Sequence, residues 1–463
     1  MEERRRSMST QIPPARKQQR ILLAVYGAAL LYFVLKQCYC LFCVGGFPDQ
    51  SAHYSYLIYA AGHPFRLPDF RAMVMYHVTG EEAGWTLMAP VPGVPDYLGH
   101  PPLYYWLMTL AGGVRLLADG TAAVSGVRLG VANMLLTSGA LVLAFSLGYR
   151  KLKQRSPLVH ALYAFAAASL PMLAYVGASL NNDNLALLAT AVFFAGLLRY
   201  REEKLDGKTY LLLGIGFLLG AFSKLTCALL FLLMLLGCLV ADIVRTKSLR
   251  LIANRWFLMT LPCYLLFLAY ELWIRREYGT WVPGLGEIAP DYFVTTVFYV
   301  PPEQREPITF LQYLRRFVGG MGYSWSSLYG HNMDVNILMD NGWWGIIYWL
   351  PVAGAALAAL RSLLRRGEDR LAVPVMAAFL LTMAYHLYSN WSGHFETGYL
   401  GGIQARYYLP MIIPIAFIAC EGIPPLFERH KTLGRVLAAA LLLGWIAGDI
   451  PRMVLLCGFP AAA

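Results

Sequence analysis

The chain has 463 residues, of which 58% are hydrophobic and only 14% are charged. This composition lies far from that of soluble globular domains and is typical of a protein with many membrane spans. A net charge of +11 would suit a nucleic-acid partner, but the Lys and Arg residues concentrate in short loops on one side of the predicted spans. That distribution follows the positive-inside rule, so we expect membrane topology to explain the charge and expect no nucleic-acid partner.

Apolar stretches long enough to cross a bilayer, at about 20 residues each, recur along the chain. We predict an all-α polytopic membrane protein with about 11 transmembrane helices, within a range of 10–13. The predicted spans are 21–43, 124–149, 157–178, 182–199, 208–223, 225–244, 255–274, 341–362, 371–389, 404–423 and 432–449. The N-terminus is then cytoplasmic, and the two long loops are external.

These spans divide the chain into four parts. Residues 1–20 form a basic cytoplasmic tail, and residues 21–274 hold seven spans and the first long loop (44–123). The second long loop is 275–340, and residues 341–463 supply the remaining spans. We find no internal repeat or inverted hydropathy symmetry, and this argues against a secondary transporter.

Two segments of the first long loop are predicted to lie in the outer membrane interface as helices. The segment His100–Ala118 is apolar enough to span, but a span there would place the basic loop Arg150–Arg155 outside. Two prolines suit its start, and the aromatic residues after them suit the headgroup layer. The segment Gln50–Gly62 is the second such helix.

Acidic side chains occur at two predicted outer boundaries. Asp49 follows the first span directly, and an ionisable group at a membrane boundary usually has a function. The tight external turn between the spans 157–178 and 182–199 carries Asn181, Asn182, Asp183 and Asn184. Such residues also suit simple turns and helix caps, so a structural and a functional role stay equally open for them.

Three cations lie near the same boundary. Lys224 occupies the external turn before the span 225–244, Arg128 lies near the outer end of 124–149, and Arg406 lies at the outer mouth of 404–423. Snorkelling to the interface explains Lys224 and Arg128 cheaply, yet each could also meet a phosphate. A half-buried Arg406 costs about 2.5–3.5 kcal/mol on insertion scales, so we expect it to have either an anionic ligand or a carboxylate partner.

The order of five motifs along the chain resembles a known family. The motifs are PDQ-x-x-H at 48–53, HPPLYYWL at 100–107, NNDN at 181–184, SKLT at 223–226 and Q-x-RYYLP at 404–410. They are similar to motifs of the polytopic membrane glycosyltransferases of the C-type (GT-C) fold. The pattern is nearest to the bacterial branch related to protein O-mannosyltransferases and lipid A aminoarabinose transferases. The chain departs from that pattern at Gln50, where relatives often carry a second acid.

The resemblance implies transfer of a sugar from a polyprenyl-phosphate-linked donor to an acceptor hydroxyl outside the membrane, with inversion at the anomeric carbon. Asp49 would be the general base and Asp183 its catalytic helper. Arg406, Arg128 and Lys224 would bind the phosphate, because fixed cations stabilise the charge that develops on a leaving phosphate. We also place His53 and Tyr407 among the substrate-binding residues.

The cofactor and the partners follow from the same resemblance. No cofactor is assigned, and the use of a divalent metal stays open. His53 or His331 could be a ligand, but the spacing of the histidines favours a structural or interfacial role, so neither is assigned to a metal. The acceptor would be a glycan, a lipid or a protein, and membrane lipid surrounds the spans. The expected location is the plasma (inner) membrane, with the active site on the extracytoplasmic side.

Two other classes remain as alternatives. A flippase or exporter of polyprenyl-linked sugars would share the many spans, but it should need charges near the membrane midplane, whereas the acids here cluster at one surface. A polysaccharide polymerase or ligase of related fold would rely on Arg and His in a late loop, and the second long loop carries Arg305, Arg315, Arg316 and His331.

Overall fold

A computed structural model describes residues 16–44, 47, 49–327, 342–365, 371–422 and 431–457. Most of the basic tail 1–20, and residues 328–340 of the second long loop with His331, therefore lie outside the described residues. The described part of the chain is predominantly helical, with one small sheet.

The helices follow the apolar stretches of the sequence. They are α1 Arg16–Tyr39 (extended by a π turn, Cys40–Val44), α2 Gln50–Gly62, α3 Leu103–Thr109, α4 Gly126–Lys151, α5 Pro157–Ala168, α6 Pro171–Gly177, α7 Asp183–Arg201, α8 Gly207–Ala221, α9 Leu225–Thr246, α10 Arg255–Tyr278, α11 Leu285–Ile288, α12 Pro290–Phe293, α13 Phe310–Ser326, α14 Leu350–Leu364, α15 Ala372–Thr397, α16 Ile412–Gly422 and α17 Lys431–Cys457. Short 3-10 turns cover Phe70–Ala72, Pro302–Gln304, Gly342–Trp349 and Ala405–Met411.

Within the described residues, eight helices are long and apolar enough to cross a bilayer, and the pair α5–α6 would make a ninth if it is one span. The pair is bent by 55° at Ser169 and Leu170, just before Pro171, whose missing N–H interrupts the helical ladder. Helix α8 has 15 residues, about 22 Å at 1.5 Å per residue, less than the hydrocarbon thickness of about 30 Å. The count of about 11 spans stays a prediction.

The first long loop differs from the all-α expectation because it contains a four-stranded antiparallel sheet. The strands are β1 Val74–Glu82, β2 Trp85–Pro95, β3 Val114–Leu116 and β4 Ala122–Val124, in the order β1-β2-β4-β3. Ala83 and Gly84 connect β1 to β2, with φ of 48° and 77°. Two positive φ values are what a tight two-residue hairpin turn requires.

The sheet also corrects the predicted interfacial helix His100–Ala118. Only Leu103–Thr109 is helical there, and Val114–Leu116 instead pairs with Ala122–Val124. The helix is short because Gly112 and Gly113 follow it, and Gly112 has a φ of 66°, a conformation that ends a helix readily. The predicted helix Gln50–Gly62 forms over those residues.

The two long loops pack on each other above the helices. A Cβ atom at Gly99 would lie 1.9 Å from the carbonyl oxygen of Pro283, so only glycine allows this close approach. The rings of Tyr97 and Phe298 have centroids 5.8 Å apart, and Phe298 lies 5.4 Å from Tyr399. These contacts place residues of the two long loops next to the start of α2.

Candidate functional site

Asp49 lies at the start of α2 in a strained backbone conformation. Its φ is 56° and its ψ is 20°, a left-handed conformation that Asp and Asn tolerate better than most residues. Its carboxylate forms an ion pair with the Arg406 guanidinium, and the Tyr97 hydroxyl donates a hydrogen bond of 3.0 Å to it. The side chains of Asp49 and Arg406 are only 10% and 8% exposed. The ion pair and the hydrogen bond therefore hold the Asp49 carboxylate inside a nearly closed site.

Arg406 is brought to this site by the 3-10 turn Ala405–Met411, which precedes α16. The Nη2 group of Arg406 donates to Asp49, while its Nε and Nη1 are buried and have no hydrogen-bond partner among the residues that the structure describes. A buried donor without a partner costs about 1–3 kcal/mol, more when it is charged. The expected carboxylate partner of Arg406 is thus present, and further donors remain for an anion.

The Asn-Asn-Asp-Asn turn holds the second acid. The Asn182 side chain donates to the Ser223 carbonyl at 2.9 Å, and the Ser223 hydroxyl donates to the Asn182 carbonyl at 2.7 Å. These two bonds fix the turn 181–184 against the turn 223–224, so that Asp183 and Lys224 form an ion pair. Their side chains are 3% and 6% exposed, and Asp183 Oδ2 has no partner within the described part of the chain.

The two ion pairs meet at Tyr407. The Lys224 ammonium lies 4.7 Å from the centre of the Tyr407 ring, and the Arg406 guanidinium lies 5.8 Å from it. We call Asp49, Arg406, Asp183, Lys224 and Tyr407 the paired-charge site. The site contains two cations and two carboxylates, so its formal charge is zero before any ligand binds. An anion that binds there would compete with the Asp49 and Asp183 carboxylates for the two cations.

His53 lies one helical turn after Asp49, in the interior. Its side chain is buried, its Nδ1 lies 2.9 Å from the Tyr105 hydroxyl, and its ring stacks on that of His100 at 6.3 Å. Burial lowers the pKa of His53 well below its ordinary value and lowers the pKa of His100 to about 4. Both rings are therefore neutral at neutral pH and add no positive charge for a phosphate.

These two histidines predict a loss of stability in acid. Both stay uncharged in the folded protein, whereas an unfolded histidine takes up a proton near pH 6.5, so stability is full above that pH and falls as the pH drops from about 6.5 towards 4. For His100 the loss should approach about 3 kcal/mol. Thermal unfolding at stepped pH should show a shallower decline in His100→Asn. The same change at the exposed His77 should leave the decline unchanged, and equal slopes in all three proteins would contradict this assignment.

The structure does not bring Arg128 to the paired-charge site. Its side chain is exposed, lies 5.1 Å from the ring centre of Trp85 and donates to the carbonyl of Gly112 at 3.4 Å. Stacking on a sheet residue explains this cation without a ligand. The prediction that Arg128 binds phosphate therefore gains no support from its position.

Two residues near the paired-charge site, Tyr97 and Asp96, were not predicted from the sequence. Tyr97 contacts Asp49 directly, and Asp96 next to it is 1% exposed, with Oδ1 bonded to the Leu98 amide and Oδ2 without a partner in the described structure. Burial raises the pKa of Asp96 well above its ordinary value. The Pro-rich segment that ends β2 has no pattern that marks either residue.

Metal binding was left open by the sequence. No group of three His, Cys, Asp or Glu side chains that could hold a metal ion occurs among the residues described. Each carboxylate of the paired-charge site contacts a cation, while Asp183 Oδ2 has no partner among the residues described.

Comparisons with known proteins give one family match. Residues 92–415 match the family model described as "Predicted membrane protein (DUF2142)". No curated protein matches the chain. Among solved structures, the apo oligosaccharyltransferase of Archaeoglobus fulgidus matches with 14% identity and a TM-score of 0.45, over 94% of this chain and 55% of that one.

A second structure of that organism's oligosaccharyltransferase, AglB with an inhibitory peptide and a dolichol-phosphate, matches with 14% identity and a TM-score of 0.44, over 96% of this chain and 56% of that one. The chain thus spans about half the length of the solved structures that it matches. The family match covers most of the chain, and it agrees with the apolar helices. The chain belongs to the DUF2142 family of membrane proteins.

Proposed function

We propose that this protein is a membrane glycosyltransferase of the C-type fold that uses a polyprenyl-phosphate-linked sugar. The observation that carries the proposal is the paired-charge site, in which two buried cations and two buried carboxylates surround one tyrosine at the predicted outer end of the helices. The order of the five sequence motifs supports it and favours the branch related to protein O-mannosyltransferases and lipid A aminoarabinose transferases. The site would face the outside of the plasma (inner) membrane.

The two cations, Arg406 and Lys224, would bind the phosphate of the donor. Arg406 keeps its Nε and Nη1 donors for an anion while Nη2 holds Asp49, and a guanidinium can contact two phosphate oxygens at once. Lys224 would approach the same phosphate from across the Tyr407 ring. Fixed donors aimed at a developing charge lower the barrier most when they are buried and preorganised.

Asp49 supplies the base. The acceptor oxygen attacks the anomeric carbon and forms the new C–O bond, while the bond from that carbon to the phosphate oxygen breaks and its electrons stay on the phosphate. The proton of the acceptor hydroxyl moves to the Asp49 carboxylate. Donor binding would draw Arg406 towards the phosphate, which weakens its hold on Asp49 and makes the carboxylate more basic.

Asp183 would act mainly on Lys224. Its Oδ1 neutralises the ammonium, and its Oδ2, which has no partner among the described residues, can accept a hydrogen bond from a substrate hydroxyl. Asp183 would thereby orient Lys224 and balance its charge between turnovers.

Replacing Arg406 tests the phosphate assignment. We expect Arg406→Ala to weaken binding of a polyprenyl phosphate about 30-fold or more, because removing one partner of a buried charged contact costs about 2–5 kcal/mol. Arg406→Lys should lose less, since it keeps the charge but not the forked geometry. Titration of the purified protein with the lipid, followed by intrinsic fluorescence, measures the effect.

Arg128→Ala is the matched control for that titration, because Arg128 is exposed and contacts the Trp85 ring and the Gly112 carbonyl. The affinity of Arg128→Ala for the lipid should stay within about twofold of wild type. The double variant Asp49→Asn/Arg406→Ala removes both charges of the pair, so no unpaired charge stays buried to destabilise the fold. This variant should still bind the polyprenyl phosphate poorly. Equal affinity in wild type, Arg406→Lys and Arg406→Ala would refute the phosphate role.

One observation bears on the polymerase or ligase alternative. Arg305 of the second long loop donates to the carbonyls of Val300, Phe395 and Glu396, at 2.9, 2.8 and 2.9 Å. Its guanidinium therefore caps the end of α15 and is used by the fold. Arg316 pairs with the exposed Glu306 at 3.1 Å. Arg305 is therefore not available as the late-loop phosphate binder which that alternative needs, whereas the Arg316 pair is exposed and contributes little.

A further inference from the structure

A cavity of about 320 Å³ is lined in part by residues that lie close in the sequence to Asp49 and Asp183 of the paired-charge site. Its walls come from the outer end of the first span, the start of α2, the tip of the β1–β2 hairpin, the first turn of α4 and the chain after α6. This volume is at the lower end of the roughly 300–1,000 Å³ found for small-molecule pockets. The cavity can therefore hold a small ligand or the end unit of a larger one.

Lining residues of the cavity lie close in the sequence to both acids of the paired-charge site. Gln50, one of its lining residues, directly follows Asp49, and Ser179 and Leu180 lead into the turn that holds Asp183. Neither Arg406 nor Lys224 lines it. The phosphate-binding cations and the cavity are thus separate surfaces that share Asp49 as a neighbour.

The lining chemistry selects the kind of ligand. Gln50, Tyr54, Thr86 and Ser179 offer amide and hydroxyl groups, and Glu81 adds a carboxylate. None of the described lining residues carries a positive charge. An anionic group would meet the Glu81 charge without any compensating cation, whereas a sugar's hydroxyls can both donate to and accept from amides, hydroxyls and carboxylates. Phe47 and Tyr54 add the aromatic surface on which a sugar face can pack.

We propose that this cavity is the acceptor subsite and that it takes an uncharged, hydroxyl-rich saccharide. The inference rests on the proposed function and narrows it from a glycan, lipid or protein acceptor to a neutral glycan. The saccharide hydroxyl nearest Gln50 would attack the donor carbon, losing its proton to Asp49 as the donor's bond to phosphate breaks. The cavity, whose described lining has no cation, and the phosphate side, which carries Arg406 and Lys224, then hold the two substrates on separate surfaces.

Gln50 is the specificity-determining residue in this scheme. Its Nε2 donates to the Tyr54 hydroxyl at 2.7 Å, which orients the amide and leaves its oxygen to accept from a sugar hydroxyl. Relatives with an acid at this position would present a second negative charge beside the base. An amide instead adds no charge beside Asp49 and offers both a donor and an acceptor to a sugar hydroxyl.

Saturation-transfer difference NMR tests the proposal on the purified full chain in a detergent without a sugar headgroup. The probes are a mixture of neutral methyl glycosides, the matching uronic acids, and a short Ser/Thr peptide. We expect the neutral glycosides to give signal in wild type, with at least a fivefold loss in Thr86→Trp, which fills the cavity, and in Gln50→Ala. Thr295→Trp, exposed on the second long loop, is the matched control and should keep the signal.

Retention of polyprenyl phosphate, measured on the same samples, separates this inference from the proposed function. Carrier bound in Thr86→Trp together with lost glycoside signal supports both. Carrier bound together with undiminished glycoside signal overturns the acceptor cavity alone, and so does preferential signal from the uronic acids or the peptide. Absence of carrier binding in wild type overturns the proposed function, whichever glycoside result accompanies it.

Discussion

Asp49→Asn should lower sugar transfer by about 10²–10⁴-fold, the range that a positioned general base contributes. Asparagine is the sharpest substitution here because it tolerates the φ of 56° that most side chains resist, and its amide oxygen can still accept the bond from Tyr97. The loss would then come from the missing base and not from a rebuilt turn. Conversion of lipid-linked donors extracted from the membranes that produce the protein measures it.

The control is Asp69→Asn, the same chemical change on an exposed residue of the same loop, where the side chain only caps a short 3-10 turn. Its transfer rate should match wild type. Because Asp49→Asn leaves Arg406 without its carboxylate, thermal unfolding of each variant must accompany the assay. A correctly folded Asp49→Asn protein with the wild-type transfer rate would remove Asp49 from the role of base.

Lys36→Met should destabilise the protein by about 3–5 kcal/mol, the cost of leaving a buried charge without its partner. Lys36 in α1 forms an ion pair with Asp449 in α17, and their side chains are 3% and 0% exposed. The Asp449 carboxylate also accepts from the hydroxyls of Tyr32 at 2.5 Å and Tyr348 at 3.0 Å. Lys36 donates to the Ser169 carbonyl at 2.8 Å, where the break between α5 and α6 leaves backbone groups unpaired.

The double variant Lys36→Met/Asp449→Asn should recover most of that loss, since it buries no charge. Its amide oxygen can accept from one of the two tyrosine hydroxyls, and its amide NH2 can donate to the oxygen of the other. Glu277→Gln, which breaks an ion pair whose members are about half exposed, should cost about 1 kcal/mol or less. Thermal unfolding in a mild detergent measures all three. A double variant that is as unstable as Lys36→Met would show that the pair's charge is not what stabilises this junction.

The individual members of the paired-charge site could be predicted because hydropathy locates the ends of spans. Asp49, Asp183, Lys224 and Arg406 each lie within a few residues of such an end, and charges at those places are costly enough to attract attention. Their pairing could not be predicted, because Asp49 and Arg406 are 357 positions apart and contact depends on how the helices pack. Arg128 also lies near the end of a predicted span, but its guanidinium stacks on Trp85 of the sheet.

The sheet itself was missed for a local reason. Strand β2 contains Pro90, Pro92 and Pro95, and proline is depleted in strands because it cannot donate to the ladder. The connecting pair Ala83-Gly84 adopts positive φ without the Asn or Asp that usually announces such a turn. Hydropathy alone also hid the Lys36–Asp449 pair, because a single Lys in an apolar run does not lower the span signal. Asp449 is the last residue of the predicted span 432–449, and its buried pairing with Lys36 depends on helix packing that hydropathy does not report.

Native mass spectrometry of the purified protein, wild type beside Asp49→Asn, tests the central claim most directly. If the chain transfers sugar from a lipid phosphate with Asp49 as base, the wild-type protein should carry a polyprenyl phosphate and the Asp49→Asn protein should retain the sugar-loaded carrier, whose added mass names the sugar. Spectra of both proteins that show no lipid phosphate, even after carrier is added, would contradict the account.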